Sequence, residues 1–186
     1  METSATKLTA KLVGIRPIMF DRYGGDNKTK LRDLDKFYVS GDGTCSIPVL
    51  NIYSLLSAEN TTSVPKRFYG KQGRDVAWGV KSHCEIVGSC GADPTLSTIY
   101  DEAGKPYKPG DIRIKVMNHV ARLPKGIPNP KSRPMIPTGW NVSFEFVLQK
   151  NELLNAATLK MMVEQGGILG LGTFRPIFGR YMVEWQ

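Results

Sequence analysis

Metal chemistry has little to work with in this sequence. Its 186 residues include three cysteines, Cys45, Cys84 and Cys90, with no Cys-x-x-Cys pair, and two histidines, His83 and His119, far apart. A structural zinc site needs four ligands at tight spacing, and the His83-Cys84-Cys90 neighbourhood supplies too few. Unpaired cysteines in odd number read as free thiols in a reducing compartment. Long apolar runs are missing as well. No stretch approaches the roughly 20 residues that span a bilayer, and the first 20 residues lack the basic leader and continuous apolar run of a secretory signal. The expectation is a soluble, cytoplasmic protein with no membrane partner and no cofactor.

Acids are scarce in one place above all. Between Asp111 and Glu145 there is no Asp or Glu, while Arg113, Lys115, Arg122, Lys125, Lys131 and Arg133 all fall there. Over the whole chain 25 Lys+Arg stand against 17 Asp+Glu, a net charge of +8. Such an excess speaks to polyanionic partners, nucleic acid or an anionic surface, more than to fold. With 41% hydrophobic residues a core of ordinary size can form, and the length suits one domain.

Hydrophobic alternation predicts strands at Thr6–Ile15, Asp111–Val120 and Trp140–Leu148. Gly41-Asp42-Gly43 between Lys36–Ser40 and Thr44–Val49 predicts a hairpin, and a helix begins just after Pro48. Lys66 to Trp78 reads as a helical continuation, and Ser82–Val87 as a strand. Ala121–Gly139 carries Pro124, Pro128, Pro130, Pro134 and Pro137. Proline removes a backbone donor, so this piece is expected to be a projecting loop, neither helix nor central strand. Asn155 is placed to cap a helix that stops at Gly166-Gly167, and Arg180–Trp185 is a last strand. Stripped of excursions the order is βαββαβ, an α+β, ferredoxin-like (RNA-recognition-motif type) antiparallel sheet. The reading is a single domain over 1–186 with insertions at about 17–48, 88–110 and 121–139.

Three features could carry chemistry. Gly166, Gly167, Gly170, Gly172 and Gly179 lie within fourteen residues, with Thr173, Arg175 and Arg180 among them. Backbone amides of such a loop can form an anion nest and the arginines can bind phosphate bidentately. The alternative, a helix cap with a tight turn, needs at most two glycines. A dinucleotide fold places its glycines between an early strand and the next helix, and no Gly-Lys-Ser/Thr ends a P-loop here. The second feature is the stiff cationic loop with Arg122, Lys125, Lys131 and Arg133, suited to gripping a phosphate backbone or simply solvated. The third is the helix start after Ile47-Pro48, near Asn51, whose free amides can receive phosphate; taken by itself it reads as an ordinary capped helix.

The Asp42-Gly43…Ile47-Pro48…helix segment, the strand Gly139-Trp140-Asn141-Val142-Ser143-Phe144-Glu145-Phe146 and Gly170-Leu171-Gly172…Phe178-Gly179-Arg180-Tyr181 together resemble the RAMP superfamily of CRISPR-associated proteins. The resemblance spans nearly the whole chain and is to the repeated backbone subunits of multi-subunit effector complexes. It implies a subunit that binds single-stranded guide RNA, leaves sequence to base pairing with a complementary target nucleic acid, and meets copies of itself head to tail and other effector subunits. The RNA-binding residues it implies, with the basic residues above, are Arg22, Lys28, Asn51, Arg67, Arg122, Lys125, Lys131, Arg133, Gly170, Gly172, Thr173, Arg175 and Arg180. Phe174 or Tyr181 would stack on a base or pack in the core. Some such subunits cleave target RNA with an aspartate ahead of the Ile-Pro segment, where Asp33 and Asp35 stand. The expectation is a binding protein without catalysis. The alternatives are a metal-dependent endoribonuclease using Asp33 or Asp35, and a phage or mobile-element structural module on the same fold.

Overall fold

The computed structural model describes residues 5–26, 30–122 and 128–186. Four strands, β1 (Ala5–Gly14), β5 (Cys84–Gly88), β9 (Asn141–Gln149) and β10 (Tyr181–Trp185), form an antiparallel sheet in the order β10-β1-β9-β5. The chain passes from β1 to β5 through helices α1 (Val49–Ser57), α2 (Val64–Phe68) and α3 (Gly73–His83), and from β9 to β10 through α4 (Ala156–Leu169). This is the βαββαβ order of a ferredoxin-like α+β fold, with its central pair formed by the first and third of the four strands.

Alternation creates the two faces. Leu8, Ala10 and Leu12 of β1 stand opposite Phe146, Phe144 and Val142 of β9, and Ala10, Leu12 and Val142, Phe144, Phe146 and Leu148 are buried. Ile52, Leu55 and Leu56 of α1, Val76 and Val80 of α3 and Leu159, Met162 and Val163 of α4 cover that face in one apolar cluster. The opposite face carries Lys7, Lys11, Glu85, Glu145 and Glu184, with Lys7–Glu145 and Lys11–Glu184 ion pairs at 3.3 and 3.1 Å. Carboxylates outnumber lysines there.

Two small sheets come from the insertions. The hairpin around Gly41–Gly43 forms as β3 (Tyr38–Val39) and β4 (Cys45–Pro48), with β6 (Leu96–Thr98) beside β4. The other sheet joins β2 (Ile18–Met19), β7 (Lys115–Arg122) and β8 (Pro128–Ile136) in the order β2-β8-β7. β8 corrects the expected proline loop, because it is the middle strand. Phe20 N–H donates to the Pro134 carbonyl at 3.0 Å, so residues in phase with Pro134 turn their backbone groups away from β7. Pro128 and Pro130 are in that phase, and their missing donors fall where the β7 ladder asks for none.

Several element bounds also differ from expectation, among them the strand expected at Ser82–Val87, which starts only at Cys84 because α3 extends through His83. Lys66–Trp78 is not one helix: α2 ends at Phe68, a 3-10 turn follows at Gly70–Gln72, and α3 runs to His83. β7 starts only at Lys115, because Arg113 folds back to salt-bridge both Asp101 and Asp111, and Ile114 N–H closes a turn on the Asp111 carbonyl. Asn155 caps α4 as expected, its Oδ1 accepting from Thr158 N at 2.8 Å. The helix, however, runs through Gly166-Gly167 to Leu169. These glycines let α4 lie against β10: a Cβ on Gly167 would stand 2.2 Å from the Tyr181 carbonyl oxygen and one on Gly166 2.5 Å from the Tyr181 hydroxyl.

Cys45, Cys84 and Cys90 are buried and free, and burial pushes the Cys45 and Cys84 thiols up to about 12. No cluster of three metal-ligating side chains occurs among the described residues, nor any helix long and apolar enough to cross a membrane.

Candidate nucleic-acid interface

Both ends of the segment between Ile18 and Phe37 are anchored. Ile18, Met19, Phe20 and Phe37 are buried, with the two phenylalanine rings 5.0 Å apart. Between these anchors, described residues of 21–26 and 30–36 face residues 129–132 of β8 across a groove of about 620 Å³. Arg22, Lys30, Lys36 and Lys131 line it together with Asp21 and Asp26. Arg22 is fixed by its backbone, N–H to the Lys36 carbonyl at 3.2 Å, and its Nε donates to the Asp35 carbonyl at 3.1 Å. Lys30 is exposed, and neither it nor Lys131 has an ion-pair partner among the described residues. Cations spaced along a groove on a rigid edge match the electrostatic demands of a phosphate backbone.

Lys36 and Arg133 are turned inward. Lys36 donates to the Ser132 carbonyl and pairs with Asp33 at 3.2 Å. The Ser132 hydroxyl donates to the same Asp33 carboxylate, and these bonds hold Asp33 below its ordinary range. Asp35 is likewise lowered by the fork of Arg32, whose Nε and Nη2 reach it at 2.7 and 3.2 Å. Neither of the two aspartates singled out in the sequence lines the groove, and each is paired with a cation. Arg133 is 7% exposed. Its Nε and Nη2 meet Asp21 Oδ2 at 2.8 and 2.7 Å, and Nη1 bonds His119 Nε2.

The glycine loop joins the same cluster through Phe174. That residue has φ of +61°, a conformation that costs a side chain about 1–2 kcal/mol. Its ring stands edge-on to His119 with centroids 4.5 Å apart, and the Arg133 guanidinium lies 4.9 Å from its centre. Asp21, Arg133, His119 and Phe174 therefore latch three chain segments together: the strap beside β2, the β7–β8 hairpin and the loop after α4. Burial, followed by the Arg133 charge, lowers the His119 pKa, so the neutral imidazole accepts from Arg133.

The loop's own amides are largely engaged inside the fold. Leu171 N–H donates to Gly179 O, Thr173 N–H to Met19 O and Gly179 N–H to Pro17 O, all at 2.8–2.9 Å. Gly170 and Gly172 adopt positive φ against Phe178 and Met19 carbonyls, where a Cβ would stand 2.6 and 2.5 Å away. These two glycines shape the loop. Arg175 donates to Gly170 O at 3.3 Å and Thr62 Oγ1 at 3.2 Å, and Arg180 to Pro176 O at 2.8 Å. Tyr181 is a core residue, donating to Val163 O at 3.0 Å.

The remaining sequence candidates scatter. Asn51 lies half-buried in the first turn of α1, where Val49 N–H is taken by the Thr95 carbonyl at 2.9 Å. Arg67 is exposed on α2 and does not line the groove. Arg122 closes β7, while Lys28 and Lys125 lie outside the described residues. Lys30, Asp21, His119 and the latching role of Phe174 escaped sequence reasoning. The one available signal was Lys30 itself, a further cation in the polar stretch around Arg22.

No family model matches the chain, and no curated protein does. A solved structure does: one chain of the cryo-EM structure of the Type III-B Cmr-beta bound to cognate target RNA superposes over 98% of this chain with a TM-score of 0.57 at 12% identity. The likeness is one of fold. This chain spans 59% of that chain's length.

Proposed function

We propose that this chain is an RNA-binding subunit of a CRISPR-type ribonucleoprotein effector, a RAMP-like protein that holds single-stranded guide RNA by its sugar-phosphate backbone. The observation that carries the proposal is the groove along β8, where Arg22, Lys30 and Lys131 converge from segments far apart in sequence beside a buried latch. Its fold, shared with a chain of Type III-B Cmr-beta, supports the assignment. Phosphate contacts of this kind position a strand and leave base edges free for a complementary nucleic acid. The opposite sheet face, with three glutamates to two lysines, gives such a strand no foothold. Copies would associate head to tail, alongside other effector subunits.

The chain binds without cleaving in this reading. Asp33 and Asp35 each carry a cation partner, so neither offers a bare carboxylate to a metal ion. The decisive experiment measures single-stranded RNA affinity against salt for the wild type and for Lys30→Ala/Lys131→Ala. Removing two phosphate contacts lowers the slope of log K against log salt by about 1.4. An unchanged slope, or RNA-free protein that binds none, defeats the proposal. Incubation of the guide complex with complementary RNA and Mg²⁺ addresses cleavage: products that disappear in Asp33→Ala or Asp35→Ala would establish an endoribonuclease instead.

A further inference from the structure

A second positive cluster lies away from the groove. Lys66 and Arg67 of α2, Lys71 of the following turn and Arg74 in the first turn of α3 fall within nine residues, and all four are exposed. None of them has a hydrogen-bonding or ion-pairing side-chain partner among the described residues, whereas Lys7, Lys11, Arg32, Lys36, Arg113 and Arg133 all do. Lys66, Lys71 and Arg74 line a concavity of about 280 Å³ with Ala58, Glu59 and Pro65. Like charges three and four residues apart repel each other on a helical surface. Glu59 is the one carboxylate among the lining residues, and no ion pair among the described residues ties it to these cations. Their mutual repulsion therefore costs the fold free energy that a single unpaired acid only partly returns. The floor of the concavity is rigid. Pro65 and Gly73 are buried against each other, and a Cβ on Gly73 would stand 2.6 Å from the Pro65 carbonyl oxygen.

We propose that this concavity is a phosphate-binding site, holding a phosphoryl group between Lys66, Lys71 and Arg74. An arginine beside two lysines can meet such a group bidentately while the ammonium groups neutralise it. The site does not depend on the groove reading. A phosphoryl group here has two sources, a phosphate of a nucleic-acid strand or a free phosphate-bearing small molecule, and the test separates them.

Inorganic phosphate is titrated into the full chain at low ionic strength, with amide NMR signals of residues 70–75 as the readout. Saturable shifts there, absent in Lys66→Ala/Lys71→Ala/Arg74→Ala, are expected. The triple variant should also melt at or above the wild-type temperature without phosphate, because it removes repulsion between exposed cations. Shifts that never saturate, or that persist in the triple variant, overturn the site. Single-stranded RNA then reports the source. A fall of about 2 in the salt slope of the triple variant assigns the site to strand phosphates. An unchanged slope with saturable phosphate binding assigns it to a free phosphate compound. Loss of the Lys30/Lys131 effect alone sinks the groove reading and leaves this site standing.

Discussion

Replacing Arg133 by methionine tests whether the latch, rather than the loops it joins, organises the groove. The substitution keeps most of the side-chain volume and removes the charge. It deletes both contacts to Asp21, the bond to His119 and the guanidinium over Phe174. Removing one partner of a buried ion pair costs about 3–5 kcal/mol. Asp21 keeps 25% of its side chain in solvent, so its carboxylate recovers part of its hydration and the expected loss is about 2–3 kcal/mol. For a chain of this size that is a fall in melting temperature of about 5–10 °C. Urea unfolding of wild type, Arg133→Met, Asp21→Ala and the double variant completes a cycle with a coupling of at least about 1 kcal/mol. A single variant within about 0.5 kcal/mol of wild type, or additive losses in the cycle, would refute the buried-latch argument.

Other outcomes follow from the same geometry. Gly167→Ala should cost about 1–2 kcal/mol, the clash with Tyr181 exceeding the gain in helix propensity; Gly91→Ala, with nothing within 4 Å of a new Cβ, should stay within about 0.5 kcal/mol, and equal losses at both sites would contradict the packing account. His119 has its folded pKa below the unfolded value near 6.5. The folded state therefore binds fewer protons, and stability held above about pH 6.5 is lost as pH falls toward the depressed value; urea midpoints at pH 7.5 and 5.5 should diverge more for wild type than for His119→Asn. Pro130→Val restores an N–H on the outer edge of β8. It should leave thermal stability nearly unchanged and raise light scattering on concentration.

The sheet was legible because its signals are local. Alternation through Leu8–Leu12 and Val142–Leu148, the Gly41–Gly43 turn and the Asn155 cap each act within a few residues, and together they dictate the βαββαβ order. The prolines misled because proline's cost depends on which edge of a strand faces a partner, and that is decided by β7 and β2 at a distance. The spacing of Pro128, Pro130 and Pro134 by even numbers was the visible trace of it. The candidate site was less legible for a related reason. Arg133 reads as a free cation in an acid-free run, yet its counter-ion is Asp21, 112 residues earlier. Arg113 is neutralised in the same way by Asp101 and Asp111. Net charge along the chain counts cations without saying which are already matched in space, and Lys30 and Lys131 emerge as unmatched once the fold brings their neighbours together.

The phase of the β8 prolines also works as a registration key. Sliding β8 by one residue against β7 would rotate every backbone group to the other edge. Pro128, Pro130 and Pro134 would then face β7 where donors are required, deleting three ladder bonds at about 1 kcal/mol each. A slip by one is thus penalised by about 3 kcal/mol before any side chain is considered. The hairpin that carries Lys131, His119 and Arg133 is therefore held at a single setting, and the latch residues meet because that setting alone brings them opposite Asp21 and Phe174.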